Sequence, residues 1–160
     1  MGGLQPTDLI VITGRPGMGK TSLATNIAFN VASARQPAAQ RNATAQRPDS
    51  VAFFSLEMSS EQLATRVLAE QAEVSSSSIR RGEIEETQFD RLLHVRESMR
   101  RLPLFIDQTG ALSIAQLAAR ARRLKRQRGL SLVIVDYIQL MQGKPQRGAQ
   151  NRVQEVTAWA

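Results

Sequence analysis

The sequence predicts an α/β fold: a mostly parallel sheet with helices on both faces. Three observations carry this. Four short apolar runs start at Leu9, Val51, Leu104 and Leu132. They lack polar alternation, as strands buried on both faces do. Stretches with apolar residues at helical spacing lie between them. A glycine-rich segment, Gly14-Arg15-Pro16-Gly17-Met18-Gly19-Lys20-Thr21, joins the first run to the first helix.

That segment fits the phosphate-loop template of Gly, four residues, Gly, Lys and Ser/Thr, and its strand–loop–helix setting is the one the template requires. Glycines let the backbone curl so that N–H groups point at phosphate oxygens. The helix N-terminus behind them, with Ser22 next in line, adds about half a positive charge. Lys20 would reach the terminal phosphates and the Thr21 hydroxyl would hold Mg²⁺. The bland alternative is a glycine-rich turn that binds nothing, but it predicts neither the Lys-Thr pair nor the apolar run before it.

Taken in order, Leu9-Ile10-Val11-Ile12 is the first buried strand. Leu23, Ile27, Val31 and Ala34 mark the helix after it. Residues 35–50 have no apolar period and two prolines, which predicts a loop. Val51-Ala52-Phe53-Phe54 is the second strand. Ser59 with Gln62 forms a capping box that starts a helix. Leu63, Ala64, Val67, Leu68 and Ala72 are its apolar face, and residues 75–78, all serine, break it. A further helix, from about 87 to 101, turns Phe89, Leu92, Leu93 and Met99 inward. Leu104-Phe105-Ile106-Asp107 is the third strand. Ser113 with Gln116 starts the next helix, with Ile114, Leu117, Ala118, Ala121 and Leu124 facing the core and Gly129 stopping it. Leu132-Val133-Ile134-Val135 is the fourth strand and ends in Asp136. Residues 142–151 form a polar loop, and a helix starts near Asn151.

The 160 residues suit one domain of ordinary size. No apolar stretch approaches the ~20 residues a membrane span needs. The chain has no cysteine, which excludes disulfides, thiolate metal sites and cysteine nucleophiles. Together with an N-terminus unlike a signal peptide, this predicts a cytoplasmic chain without a membrane partner. The single histidine, His94, sits in a helical pattern and reads as a surface or core residue. The net charge of +7 permits a nucleic-acid partner, and aromatic residues at 4% argue against a base-stacking platform.

In a parallel sheet, ligands sit beyond the carboxyl ends of the strands. The phosphate loop, Glu57 and Asp136 all fall there. Asp136 is the candidate Mg²⁺ carboxylate opposite Thr21. Glu57 reads equally well as the base that orients an attacking water or as a charge favouring the N-terminus of the next helix. Gln139 could sense the terminal phosphate or be a surface amide. Arg122, Arg123, Lys125 and Arg126 read as a solvated helix face rather than a nucleic-acid contact. Residues 142–150, with Lys144 and Arg147, are the better nucleic-acid candidate; the alternative is a plain polar loop.

Three motifs, Gly14 through Thr21, Phe54-Ser55-Leu56-Glu57-Met58-Ser59 and Val135-Asp136-Tyr137-Ile138-Gln139-Leu140-Met141, resemble bacterial replicative hexameric DNA helicases of the DnaB type in order and spacing. Ile79-Arg80-Arg81-Gly82, the Leu104 to Asp107 run and Asn151-Arg152 with Gln154-Glu155 add to the likeness, which runs over nearly the whole chain. The resemblance implies a RecA-like phosphate-loop motor domain that binds ATP or ADP with Mg²⁺ and couples hydrolysis to duplex unwinding. It implies Glu57 as catalytic base, with Lys20, and Arg66 near the phosphates. It places Lys144, Arg147 and Arg152 at single-stranded DNA in the channel of a homo-hexamer.

The same resemblance marks departures. Residues 35–50 are longer than the usual connection. Ala158-Trp159-Ala160 does not continue the family pattern. The family's N-terminal domain, linker helix, later strands and arginine finger have no counterpart. Residues 1–160 are therefore expected to be a partial RecA-like ATPase domain, incomplete at its C-terminal side. On its own it should be near-inactive and form a dimer or aggregate with Trp159 buried in the contact. Two other readings are a nucleotide-binding or self-associating chain without catalysis, and another RecA-like ATPase.

Overall fold

The computed structural model describes residue 5, residues 7–34 and residues 50–141. The elements are α1 (Lys20–Ala34), β1 (Ser50–Ser55), α2 (Ser60–Ala72), α3 (Ser76–Arg81), α4 (Glu86–Met99), β2 (Leu104–Asp107), α5 (Ile114–Arg128), β3 (Leu130–Asp136) and a 3-10 turn, Ile138–Leu140. The three strands form one parallel sheet in the order β2-β1-β3. β1 is central and every one of its residues is buried. An unalternating apolar run is what such a strand needs.

Alternate residues of β1 feed two cores. Val51 and Phe53 pack with Ala28 and Ala32 of α1 and Leu63 of α2, and Leu104, Ile106, Leu132 and Ile134 close around them. Ala52 and Phe54 face the other way, toward Leu112 and toward Leu117 and Leu124 of α5. Helices thus cover both faces. Ser50 pairs with Leu130 but Val51 pairs with Leu132, so Ser131 is an extra residue in β3. Such a bulge reverses which side chains face which layer. It puts Leu130 on the same side as Val135.

Both predicted capping boxes are present. Ser59 accepts from the Gln62 N–H and Gln62 caps the Ser59 N–H. Ser113 and Gln116 repeat the pattern at α5. Gly129, with φ of 75°, ends α5.

Three expectations are corrected and one is extended. Residues 9–12 are not a strand: they lie outside the sheet, with Leu9 76% and Val11 72% exposed. Apolarity marks a segment that could be buried, yet a strand buried on both faces also needs ladder partners and covering helices. Residues 75–78 do more than break α2. Glu73 ends that helix in a left-handed conformation, and Ser75 then accepts from the Ser77 N–H to start α3. On α4, Phe89 and Leu93 are exposed, while Leu92, Val95 and Met99 are half-buried. The helix rests mainly on α2 among the described residues, so a narrow stripe is covered. Ile114, in the first turn of α5, is also exposed, because β1 and β3 are met only by the later turns. The loop at 35–49, the loop at 142–151, the last helix and Trp159 lie outside the described residues.

Candidate nucleotide site

The glycine-rich loop folds back on itself. Gly17 and Gly19 have φ of 80° and 83°, a region that side chains disfavour, so glycine is needed at both. Lys20, the first residue of α1, donates from Nζ to the carbonyls of Gly14 at 2.7 Å and Arg15 at 3.0 Å. Gly14, Arg15, Pro16, Gly17, Met18 and Gly19 are exposed; Lys20, Thr21 and Ser22 are half-buried. Thr25 is buried, and its hydroxyl donates to the carbonyls of Thr21 and Ser22. That fixes the first turn of α1 under Thr21. The loop therefore offers backbone N–H groups, a lysine and a hydroxyl at a helix N-terminus, the donor set a polyphosphate calls for.

The carboxyl ends of β1 and β3 meet at Ser55 and Asp136, which are register partners. Asp136 is 6% exposed, and its Oδ2 is buried with no hydrogen-bond partner among the described residues. A buried carboxylate oxygen without a partner is costly unless a cation or donor meets it. Asp136 thus fits a cation, and Mg²⁺ commonly takes one carboxylate, a hydroxyl and phosphate oxygens. Among the described residues no cluster of three or more acidic or histidine side chains could hold a metal alone. The following peptide, Asp136–Tyr137, is cis.

Glu57 is exposed, on a turn just past β1. The turn is tied down from beneath. The buried Ser55 hydroxyl donates to the Met58 carbonyl at 2.7 Å and accepts from the Met58 N–H at 3.2 Å. The sequence reading passed over Ser55. A serine closing an otherwise apolar strand was the available signal, since a hydroxyl there can bond the turn that follows.

Arg66 is half-buried on α2. It lines an open cavity of about 340 Å³ with Ser22, Glu70 and Ser76, which brings it to the first turn of α1. Among the described residues it makes no ion pair. Gln139 is exposed in the 3-10 turn after Asp136. Lys144, Arg147 and Arg152 lie outside the described residues. No described hydrogen bond joins the glycine-rich loop to Glu57 or Asp136; the loop is related to them through α1, which packs on β1 and β3.

At the end of β2, Asp107 accepts from Arg120 Nη1 at 2.5 Å and from the Thr109 N–H at 3.0 Å. Partial burial pushes the Asp107 pKa up, but the hydrogen bonds from Thr109 and Arg120, with the arginine charge, outweigh it and leave the pKa lowered.

A glycine-curled loop at a helix N-terminus, beside a parallel sheet whose edge holds an unpartnered carboxylate, defines a phosphate-loop α/β domain of the RecA type. The profile of the DnaB-like helicase C-terminal domain matches residues 1–160. The chain belongs to that family. Its relatives include the replicative DNA helicase DnaB of Rickettsia typhi, 43% identical over 155 residues covering 97% of this chain and 30% of the relative. The replicative DNA helicase DnaB of Nostoc is 41% identical over 157 residues, 97% of this chain and 16% of the relative. The replicative DNA helicase DnaC of Bacillus subtilis is 37% identical over 155 residues, 97% of this chain and 31% of the relative. The chain thus spans less than a third of these relatives' lengths.

Two solved structures share the fold. One, an ATPase domain, superposes with a TM-score of 0.72 at 22% identity, over 90% of this chain and 47% of that one. A DnaB-like replicative helicase, described with its interactions with primase, gives 0.72 at 22%, over 89% and 32%. Among the described residues no helix is long and apolar enough to cross a membrane.

Proposed function

We propose that this chain is the nucleotide-hydrolysing part of a replicative DNA helicase motor, a partial RecA-like ATPase domain acting in the cytoplasm. The observation that carries the reading is Asp136: a buried, unpartnered carboxylate at the edge of the same sheet on which the phosphate loop's helix packs. The loop's backbone N–H groups and Lys20 hold the phosphates of ATP or ADP. Thr21 and Asp136 would hold Mg²⁺, which neutralises charge on the β- and γ-phosphate oxygens when bound. Glu57 orients a water and accepts its proton as the oxygen attacks the terminal phosphorus, and the bond from that phosphorus to the β–γ bridging oxygen breaks, so that ADP leaves with its electron pair. Arg66 stands by the phosphates, and Gln139 follows the Asp136 strand end as a phosphate sensor.

Family membership supports single-stranded DNA as the track, contacted by Lys144, Arg147 and Arg152, and a homo-hexamer as the working assembly. Nucleotide binding without turnover is the competing outcome. The test is Glu57→Gln, with nucleotide affinity measured in this chain and turnover measured at the matching residue of an intact relative. It keeps side-chain shape and removes the proton acceptor. Nucleotide affinity should persist while turnover falls at least a hundredfold. Equal turnover in variant and parent returns Glu57 to a helix-end charge.

A separate observation supports association of the chain with itself. Leu9, Ile10, Val11 and Ile12 are exposed, and Val133 is 38% exposed on a strand whose second edge is unpaired among the described residues. Open edges and apolar patches invite pairing. Sedimentation of the chain should give a dimer or larger species; a stable monomer removes this reading.

A further inference from the structure

α2 begins immediately after the turn that carries Glu57, so the entry of α2 sets where that carboxylate points. A helix start leaves four N–H groups without partners inside the helix. At α2, the capping box supplies two bonds, Gln62 to the Ser59 N–H and Ser59 to the Gln62 N–H. The N–H of Ser60, the first helical residue, has neither of these partners. It donates instead to Oε1 of Gln108 at 2.6 Å, from a residue 48 positions along the chain.

Gln108 is the first residue past β2, and it is held on both sides. Asp107 accepts from the Thr109 N–H, which closes the turn around Gln108. Arg120 then bonds both ends of that turn, Asp107 Oδ2 at 2.5 Å and Thr109 Oγ1 at 2.6 Å. Arg120 belongs to α5, which packs on the Ala52 and Phe54 face. Ser60 begins α2, whose Leu63 packs on the Val51 and Phe53 face. β2 is an edge strand, so its exit can pass around the end of the sheet from one face to the other. The connection therefore runs Arg120, Asp107 and Thr109, Gln108, Ser60, and then the Glu57 turn.

We infer that Gln108 and Arg120 are positioning residues for Glu57, a clamp that fixes the α2 entry from the opposite face of the sheet. The inference rests on the reading of Glu57 as the water-orienting base. Neither residue touches nucleotide or water in this scheme. Their effect is to narrow the directions the Glu57 turn can adopt, and misplacement of a reacting group by about 1 Å can slow a reaction by about a hundredfold. The bonds are exposed to solvent, so their loss should loosen the turn without unfolding the chain.

The test compares Gln108→Leu, which removes the acceptor at similar size, with Gln108→Glu, which keeps an acceptor for the Ser60 N–H. Hydrogen exchange reads the clamp in the whole chain. Single-turnover hydrolysis of Mg-ATP, with protein in excess, reads its consequence. Gln108→Leu should speed exchange at Ser60 and slow cleavage by about tenfold at unchanged nucleotide affinity. Gln108→Glu should restore both, and Arg120→Met should act in the same direction as Gln108→Leu. A purely structural role for Gln108 lowers the melting temperature and leaves the cleavage rate at saturating ATP alone; that result overturns the inference. Unchanged Ser60 exchange in Gln108→Leu also overturns it. Glu57→Gln runs in parallel: if it cleaves like the parent, the base reading fails while exchange at Ser60 still decides whether the clamp exists.

Discussion

The backbone N–H of Leu56 donates to the carbonyl of Asp136 at 2.7 Å, one residue past the last register pair of β1 and β3. This bond joins the first residue of the Glu57 turn to the backbone of the candidate cation ligand. The two carboxylates are thus held in one frame by main chain, so substitution of either side chain should leave the other's backbone in place.

Asp136→Asn should separate stability from binding. The parent keeps a buried oxygen without a partner. Neutralising it removes the charge from a site where burial disfavours charge. The variant should melt at or above the parent temperature, while Mg²⁺ no longer improves its nucleotide affinity. Calorimetric titration of ADP with and without Mg²⁺ measures the second effect. A large drop in melting temperature would show that Asp136 has a structural partner instead.

Lys20→Ala should abolish nucleotide binding and leave the fold intact. Lys20 is half-buried and bonds only loop carbonyls among the described residues. Its removal deletes the charge that would lie on the phosphates. Titration of Mg-ATP and a circular dichroism spectrum check both halves.

The Asp107–Arg120 pair predicts a pH effect. The folded pKa of Asp107 lies below its ordinary value of 3.8. Its contribution is therefore complete above that value and is lost as pH falls through the lower folded pKa. Arg120→Ala should be less stable than the parent at pH 7 by up to about 1 kcal/mol, since the pair is partly exposed. The two should converge at pH values well below 3.8. Urea unfolding at both ends of the range gives the comparison, and a constant difference would assign the effect to Thr109 or to packing.

Leu63→Ala should destabilise the chain by about 2–5 kcal/mol. Leu63 is fully buried where α2 meets Val51 and Phe53. Phe89→Ala on α4 should change stability by less than about 0.5 kcal/mol, because that ring is 53% exposed. Thermal melts of both variants test the assignment of inside and outside.

Strands β1, β2 and β3 were legible because their runs are short, apolar and end in Ser55, Asp107 and Asp136. Capping boxes at Ser59 and Ser113 marked helix starts to the residue, since they depend on local bonds alone. Residues 9–12 show the limit of the same logic: apolarity reports a capacity for burial, while pairing depends on distant neighbours. Phe89 and Leu93 misled for a related reason, as helical spacing fixes a stripe but not how wide a partner covers it. For the site, Gly14 through Thr21 and Asp136 could be read from spacing. Ser55 left a local signal, a serine closing an apolar strand three residues before Met58; Gln108 left none, because its bond to the Ser60 backbone arises only when turns from different strands meet.

The buried central strand has a consequence during synthesis. The Ser50 hydroxyl donates to the carbonyl of Gly129, 79 residues later, so β1 leaves the ribosome well before β3 exists. At about 5–20 residues per second the wait is about 4–16 s. Over that interval α1, α2 and then β2 can meet Val51 and Phe53, while the Ala52 and Phe54 face waits for α5 and one edge of β1 waits for β3. Nascent chains of this protein therefore carry a sticky strand for seconds, which marks them as clients for ribosome-bound chaperones and as hazards when many ribosomes crowd one message.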